Sequence, residues 1–158
     1  MIELYTDGSS RKDGAGYAVV IIKDNKIIST ITKQFEKGTN NEMELAAILS
    51  ALQYAVRQDE DCVIFSDSAY CVNMCNDWIY KWYTNGWVRD KNKEIKNLVI
   101  IKMIYNYLTQ DCNNCISIQK IKGHCNEIGN EIADAIASDN IKKFNKIFDK
   151  NRDMFCNF

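Results

Sequence analysis

The sequence predicts a mixed α/β fold, and three observations carry that expectation. A β-branched run, GYAVVIIK at Gly16 to Lys23, sits between two further strand-like stretches joined by short polar turns. A helical repeat of apolar residues and then a brief apolar run of the buried-strand kind, CVIFS at Cys62 to Ser66, come after it. Towards the end an alternating segment precedes another helical pattern, so helices are interleaved with strands rather than segregated from them.

In chain order, Ile2 to Asp7 reads as a short strand, Gly8 to Gly14 as a polar turn and Gly16 to Lys23 as the second strand. Asp24-Asn25 is a turn signal before a third strand, Lys26 to Phe35, giving three antiparallel strands. Asn40 and Asn41 offer a helix N-cap. After them Met43, Leu45, Ala46, Leu49, Leu52 and Ala55 recur at helical spacing, which predicts a helix from Glu42 to Arg57. Cys62 to Ser66 predicts a strand, and Ser68 to Asn76 a helix capped by Asp67 or Ser68. Asn97 to Leu108 is apolar enough for a mostly buried helix. Cys115 to Lys122 alternates like a strand, Gly123 to Gly129 is a loop, and Asn130 to Ser138 carries a helical pattern with Asp134 in its early part. Beyond it, Ile141, Phe144, Ile147 and Phe148 fall on one helical stripe, a pattern that more often means packing than a partner site.

A chain of 158 residues is enough for one core, and 46% hydrophobic with 26% charged residues is the balance of a soluble globular domain. No apolar run approaches the roughly 18 to 20 residues needed to span a bilayer, and MIELYTDGSS lacks the basic start of a signal peptide, so a cytoplasmic protein with no membrane partner is expected. The seven cysteines (Cys62, Cys71, Cys75, Cys112, Cys115, Cys125 and Cys156) lack paired spacing, which fits a reducing compartment. Cys112 and Cys115 form a single CxxC. A zinc site would need a second ligand pair and His124 is the one histidine, so ordinary thiols near a strand start are expected there. Net charge is only −1, yet Trp78 to Lys102 holds six cations (Lys81, Arg89, Lys91, Lys93, Lys96, Lys102) against Asp90 and Glu94. The charge is therefore polarised, and the basic segment opens with three tryptophans, of which at least one is expected to be buried and structural.

Acidic residues fall at element ends. Asp7 closes the first strand, where a glycine and two serines let the chain turn away and leave the carboxylate at the sheet rim, and Asp67 follows CVIFS in the same way. Two carboxylates at the same end of adjacent strands repel unless a cation neutralises them. Glu44, in the first turn of the helix after Asn41, and Asp134 complete four acids if those helices pack toward the same rim. Hard oxygen ligands of this kind suit Mg²⁺ or Mn²⁺.

YTDGS at Tyr5 to Ser9, TNNEMELAA at Thr39 to Ala47, FSDSAY at Phe65 to Tyr70, WIYKWYTNGW at Trp78 to Trp87 and KGHCNEIGNEIAD at Lys122 to Asp134 occur in this order. Together they resemble ribonuclease H of type 1 over nearly the whole chain up to Ser138. The resemblance implies a ribonuclease H-like fold, a five-stranded mixed sheet in the order 3-2-1-4-5 flanked by helices. It also implies a catalytic domain over residues 1–140, with 141–158 as a C-terminal extension. The implied activity is endonucleolytic hydrolysis of the RNA strand of an RNA–DNA hybrid by a monomer, leaving 5′-phosphate and 3′-hydroxyl ends. Asp7, Glu44, Asp67 and Asp134 take the family's catalytic roles as ligands of two Mg²⁺ ions, for which Mn²⁺ substitutes. His124 assists proton transfer or product release rather than binding metal.

Substrate contacts follow from the same resemblance. Thr39, Asn40 and Asn41, near a helix start, are candidates for the DNA strand. Trp78, Lys81 and Trp82, within the basic segment, resemble the family's DNA-gripping protrusion. Backbone groups at Gly8, Ser9 and Ser10 are candidates for the RNA 2′-hydroxyls. Ala69 and Glu42 depart from the glutamine and arginine frequent in bacterial members, and the turn after Asp7 is short. Two alternatives stand beside this reading: another nuclease or strand-transfer enzyme on the same scaffold, and a non-catalytic hybrid-binding module.

Overall fold

The computed structural model describes residues 1–121 and 127–155. Five strands form one sheet: β1 (Ile2–Arg11), β2 (Gly14–Lys23), β3 (Lys26–Phe35), β4 (Cys62–Ser66) and β5 (Ile116–Lys120), in the order β3-β2-β1-β4-β5. β1, β2 and β3 are antiparallel neighbours, while β4 runs parallel to β1 and β5 parallel to β4. The mixed sheet and its order are those expected.

The first hairpin differs from expectation. Gly8 to Arg11 is strand, not turn: Asp7 pairs with Ala18, Gly8 with Tyr17 and Arg11 with Gly14, leaving only Lys12 and Asp13 as the turn. Small polar residues signal a turn locally, but β2 offers a full ladder of backbone partners that outweighs the signal. At Asp24 and Asn25, both left-handed (φ 50° and 58°), the expected tight turn closes the β2–β3 hairpin.

Helices cover both faces. On one side lie α1 (Asn40–Ala55), α2 (Ala69–Asn73), α3 (Ile79–Thr84) and α4 (Leu98–Thr109), packed on Leu4, Val19, Ile21 and Ile64. On the other, α5 (Ile128–Ala137) and α6 (Ile141–Lys150) pack on Tyr5, Ala18, Val20, Ile22 and Ile27. β2 contributes to both cores by strand alternation, which is why its sequence is continuously apolar.

Element boundaries moved for identifiable reasons. Thr39, not Asn40 or Asn41, caps α1: its hydroxyl accepts from the Glu42 N–H at 3.1 Å, and Glu44 consequently lies in the second turn. Ser68 caps α2, and the single helix expected to Asn76 instead opens into a wide turn, Met74–Trp78, before α3, with the Ile79 N–H reaching Met74 O. Asp134 stands late in α5, not early, because that helix begins at Ile128. α4 buries Ile101 and Ile104 but exposes Val99 (75%) and Met103 (41%), so it is a half-buried helix with one packed stripe. Ile141 is likewise exposed, leaving Phe144 and Ile147 to pack. None of the three tryptophans is fully buried; each lies half-buried against the α1-side core.

Candidate active site

β1 and β4 pair only from Ile2/Cys62 to Tyr5/Phe65. Thr6, fully buried, donates its hydroxyl to Phe65 O at 2.8 Å and clips the strands just before they part. β1 then continues along β2 while β4 ends, which opens a crevice at the carboxyl end of a parallel pair, a general location for ligand sites in α/β sheets. Asp7 is the first β1 residue after the clip. It is buried within the strand rather than left at a turn.

Gly8 explains how Glu44 arrives beside it. A Cβ at Gly8 would lie 2.3 Å from both Glu44 N and Met43 C, so only a glycine lets α1 lie this close to β1. Asp67 sits between two serines with other duties: the Ser66 hydroxyl accepts from the Ser68 N–H (3.1 Å) and the Ser68 hydroxyl from the Cys71 N–H (3.2 Å). Relieved of capping, the Asp67 carboxylate faces the crevice. One oxygen each from Asp7, Glu44 and Asp67 lies within 4.8 Å of the others.

Asp134 lies outside that tight group, close enough for its charge to act on all three. Its helix is pinned at both ends. Gly129 rests on the Tyr5 ring, where a Cβ would come within 2.3 Å, and the carbonyl of Ala137 accepts from Arg11 Nη1 at 2.9 Å and from Gln34 Nε2 at 3.3 Å. The Asp134 carboxylate accepts a hydrogen bond from Lys143 Nζ on α6.

The electrostatics are those of an incomplete charge balance. Burial, then the charges of Glu44, Asp67 and Asp134, hold the Asp7 carboxyl well above the usual carboxylate range. Burial and Asp67 push Glu44 up, partly offset by the Gly8 backbone N–H; Asp67 is raised by burial and Asp134 and eased by Lys120. Glu44 Oε2 is buried with no hydrogen-bond partner. An unpartnered buried oxygen within a set of hard, like-charged donors fits a small divalent cation such as Mg²⁺ or Mn²⁺.

An open groove of about 1240 Å³ starts next to this centre. Asn41, three residues before Glu44, and Tyr70, three after Asp67, line it together with Trp78, Lys81 and Trp82. Arg89, Lys91, Lys93 and Lys96 also line it, against one anion, Asp90. The structure thus gathers Asn41, Trp78, Lys81 and Trp82 in one place.

The other predicted contacts are separate. Thr39 serves as a cap and Asn40 Oδ1 accepts from the Ser10 N–H (2.8 Å), tying α1 to β1. Gly8 and Ser9 are strand residues opposite Tyr17 and Gly16. His124 lies outside the described residues. Cys112 and Cys115 are exposed free thiols on a loop that Asn114 fastens by donating to Ala55 O and Glu60 O.

Sequence reasoning missed Tyr70, Lys120 and Lys143. Tyr70 was within reach, being one turn along from Asp67. No linear signal places Lys143 against Asp134, because the turn between α5 and α6 decides it.

Comparison with known proteins agrees with this geometry. A model of the family described as RNase H matches residues 1–142. Ribonuclease H of Caldicellulosiruptor saccharolyticus is 34% identical over 147 residues, covering 90% of this chain and 97% of that protein. Ribonuclease H of Acetivibrio thermocellus is 34% identical over 154 residues, covering 92% and 97%. Among solved structures, the RNase H domain of prototype foamy virus superposes with a TM-score of 0.78 at 26% identity, over 87% of this chain and 92% of that one.

Proposed function

The chain belongs to the ribonuclease H family and is a ribonuclease acting on RNA–DNA hybrids, and from that membership we propose that Asp7, Glu44, Asp67 and Asp134 form its catalytic centre as ligands of two Mg²⁺ ions, Mn²⁺ substituting. The observation that carries this reading is the meeting of Asp7, Glu44 and Asp67 within 4.8 Å around an unpartnered, buried Glu44 oxygen. Bound there, divalent ions supply charge neutralisation at the scissile phosphate and acidify the attacking water.

The chain's own residues do the rest. Asp7 and Glu44, held by β1 and α1 with little freedom, offer fixed oxygens, and the exposed Asp67 and half-exposed Asp134 lie on the solvent side where a phosphate enters. Asn41 and Tyr70 connect the carboxylates to the basic groove, where Trp78 and Trp82 give flat faces and Lys81 to Lys96 give charge for the DNA strand. Thr39 and Asn40, at the start of α1, are further contacts to the DNA strand, and the backbone groups of Gly8 and Ser9 are the contacts to the RNA 2′-hydroxyls. His124 assists proton transfer or product release, and the products carry 5′-phosphate and 3′-hydroxyl ends.

Cleavage of an RNA–DNA hybrid, duplex DNA and duplex RNA, each with Mg²⁺ and with chelator, tests the reading. Hybrid cutting in Mg²⁺ alone, abolished in Asp67→Asn with hybrid binding retained, is the expected result. Preferential cutting of DNA, or full activity in that variant, overturns it.

A further inference from the structure

Lys143 lies one residue past the family match and contacts the fourth carboxylate. The helix that carries it is fixed against α5. Asn140 caps α6 by accepting from the Lys143 N–H at 3.0 Å, and the Asn140 N–H in turn donates to Ala135 O at 2.8 Å, joining the start of α6 to the helix that carries Asp134. Further along α6, Ile147 is buried and Phe144 half-buried in the α5-side core, so the helix is seated along its length. The pair is half-exposed, 39% for the Lys143 side chain and 46% for Asp134.

Asp134 is the one acid of the four outside the tight group, and the one engaged by an ammonium. Resting on the four-carboxylate reading, we propose that Lys143 is a built-in competitor for the cation position at Asp134, so that α6 sets how much divalent ion the centre requires. An ammonium supplies one charge through hydrogen bonds to a single carboxylate. A divalent ion supplies two and draws oxygens from several acids at once, so it displaces the lysine once its concentration suffices. Deleting the charge then has two effects of opposite sign. The ion-free centre carries one more uncompensated negative charge and loses stability, while ion binding no longer has to expel a competitor and tightens. A lysine that only braces α6 against α5 would lower stability equally with and without the ion and leave affinity unchanged.

The test is calorimetric titration of the full chain with Mn²⁺ and no nucleic acid, paired with thermal melting in chelator and in Mn²⁺. Lys143→Met keeps the stem and removes the charge; Lys143→Gln repeats the deletion with a polar end, and Lys143→Arg retains the charge. Met and Gln variants are expected to bind the weaker of the Mn²⁺ ions roughly three- to tenfold more tightly, the scale of one partly exposed unit charge. Their melting temperatures fall in chelator and gain more from Mn²⁺ than the wild type, while the Arg variant matches the wild type. Unchanged or weaker Mn²⁺ affinity in both charge-deleted variants, with an Asp134→Asn change that does weaken Mn²⁺ binding, overturns the competitor role and leaves the site reading standing. A wild-type chain that binds no Mn²⁺ overturns both.

Discussion

Replacing Gly8 by alanine tests the step that brings Glu44 to Asp7. The added Cβ would stand 2.3 Å from Glu44 N and Met43 C, whereas ordinary contact begins near 3.4 Å. Relief therefore needs a displacement of about 1 Å between β1 and α1, and both atoms belong to backbone that cannot rotate aside. α1 has little room to move, since Leu45, Ile48 and Leu52 are fully buried against the sheet. Overpacking of this kind costs about 1–3 kcal/mol. A shift of that size at Glu44 relative to Asp7 costs about 100-fold in turnover, since positioning errors near 1 Å are felt at that level. Urea unfolding in chelator and Mg²⁺-dependent cleavage of a fluorescent hybrid measure the two effects. A Gly8→Ala chain with both the unfolding midpoint and the turnover of the wild type would refute the reasoning.

The carboxyls of Asp7 and Glu44 are raised, so the folded state favours their protonated forms: in chelator that stability is present below their unfolded values, about 4, and is lost as pH rises through the neutral range. Melting temperatures between about pH 5 and 8 should therefore fall more steeply in chelator than in Mg²⁺, and parallel curves would count against the cluster. Lys91→Gln with Lys93→Gln should raise KM for hybrid and make log KM less dependent on log salt by about one to two in slope, with the effect on KM exceeding that on kcat. Thr39→Ala should cost about 1 kcal/mol in urea unfolding through loss of the α1 cap, and Thr39→Ser should restore most of it.

The strands that read most clearly were those whose pattern and partners agree. Lys26–Phe35 and Cys62–Ser66 came out with the boundaries their sequences suggest, and Asp24-Asn25 closed the hairpin between β2 and β3. The segment after Asp7 misled because Gly, Ser and Lys signal a turn locally, while the ladder with β2 carries the strand to Arg11. The helix expected from Ser68 to Asn76 misled in another way: no residue there marks the wide turn at Met74–Trp78, which depends on how α2 and α3 settle on the sheet.

Sequence alone determined which residues are acidic at element ends, which block of chain is basic and aromatic, and, through five collinear motifs, the family and the sheet order. Only the tertiary structure decided the distances. Asp7, Glu44 and Asp67 come from a strand, a helix and a strand end up to 60 positions apart, and they meet because β1 leaves β4 after Tyr5 and because Gly8 lets α1 lie close to β1. The cation at Asp134 belongs to the same class of fact. Lys143 is nine residues away along the chain, and the turn that folds α6 back onto α5 makes it a neighbour of the fourth carboxylate.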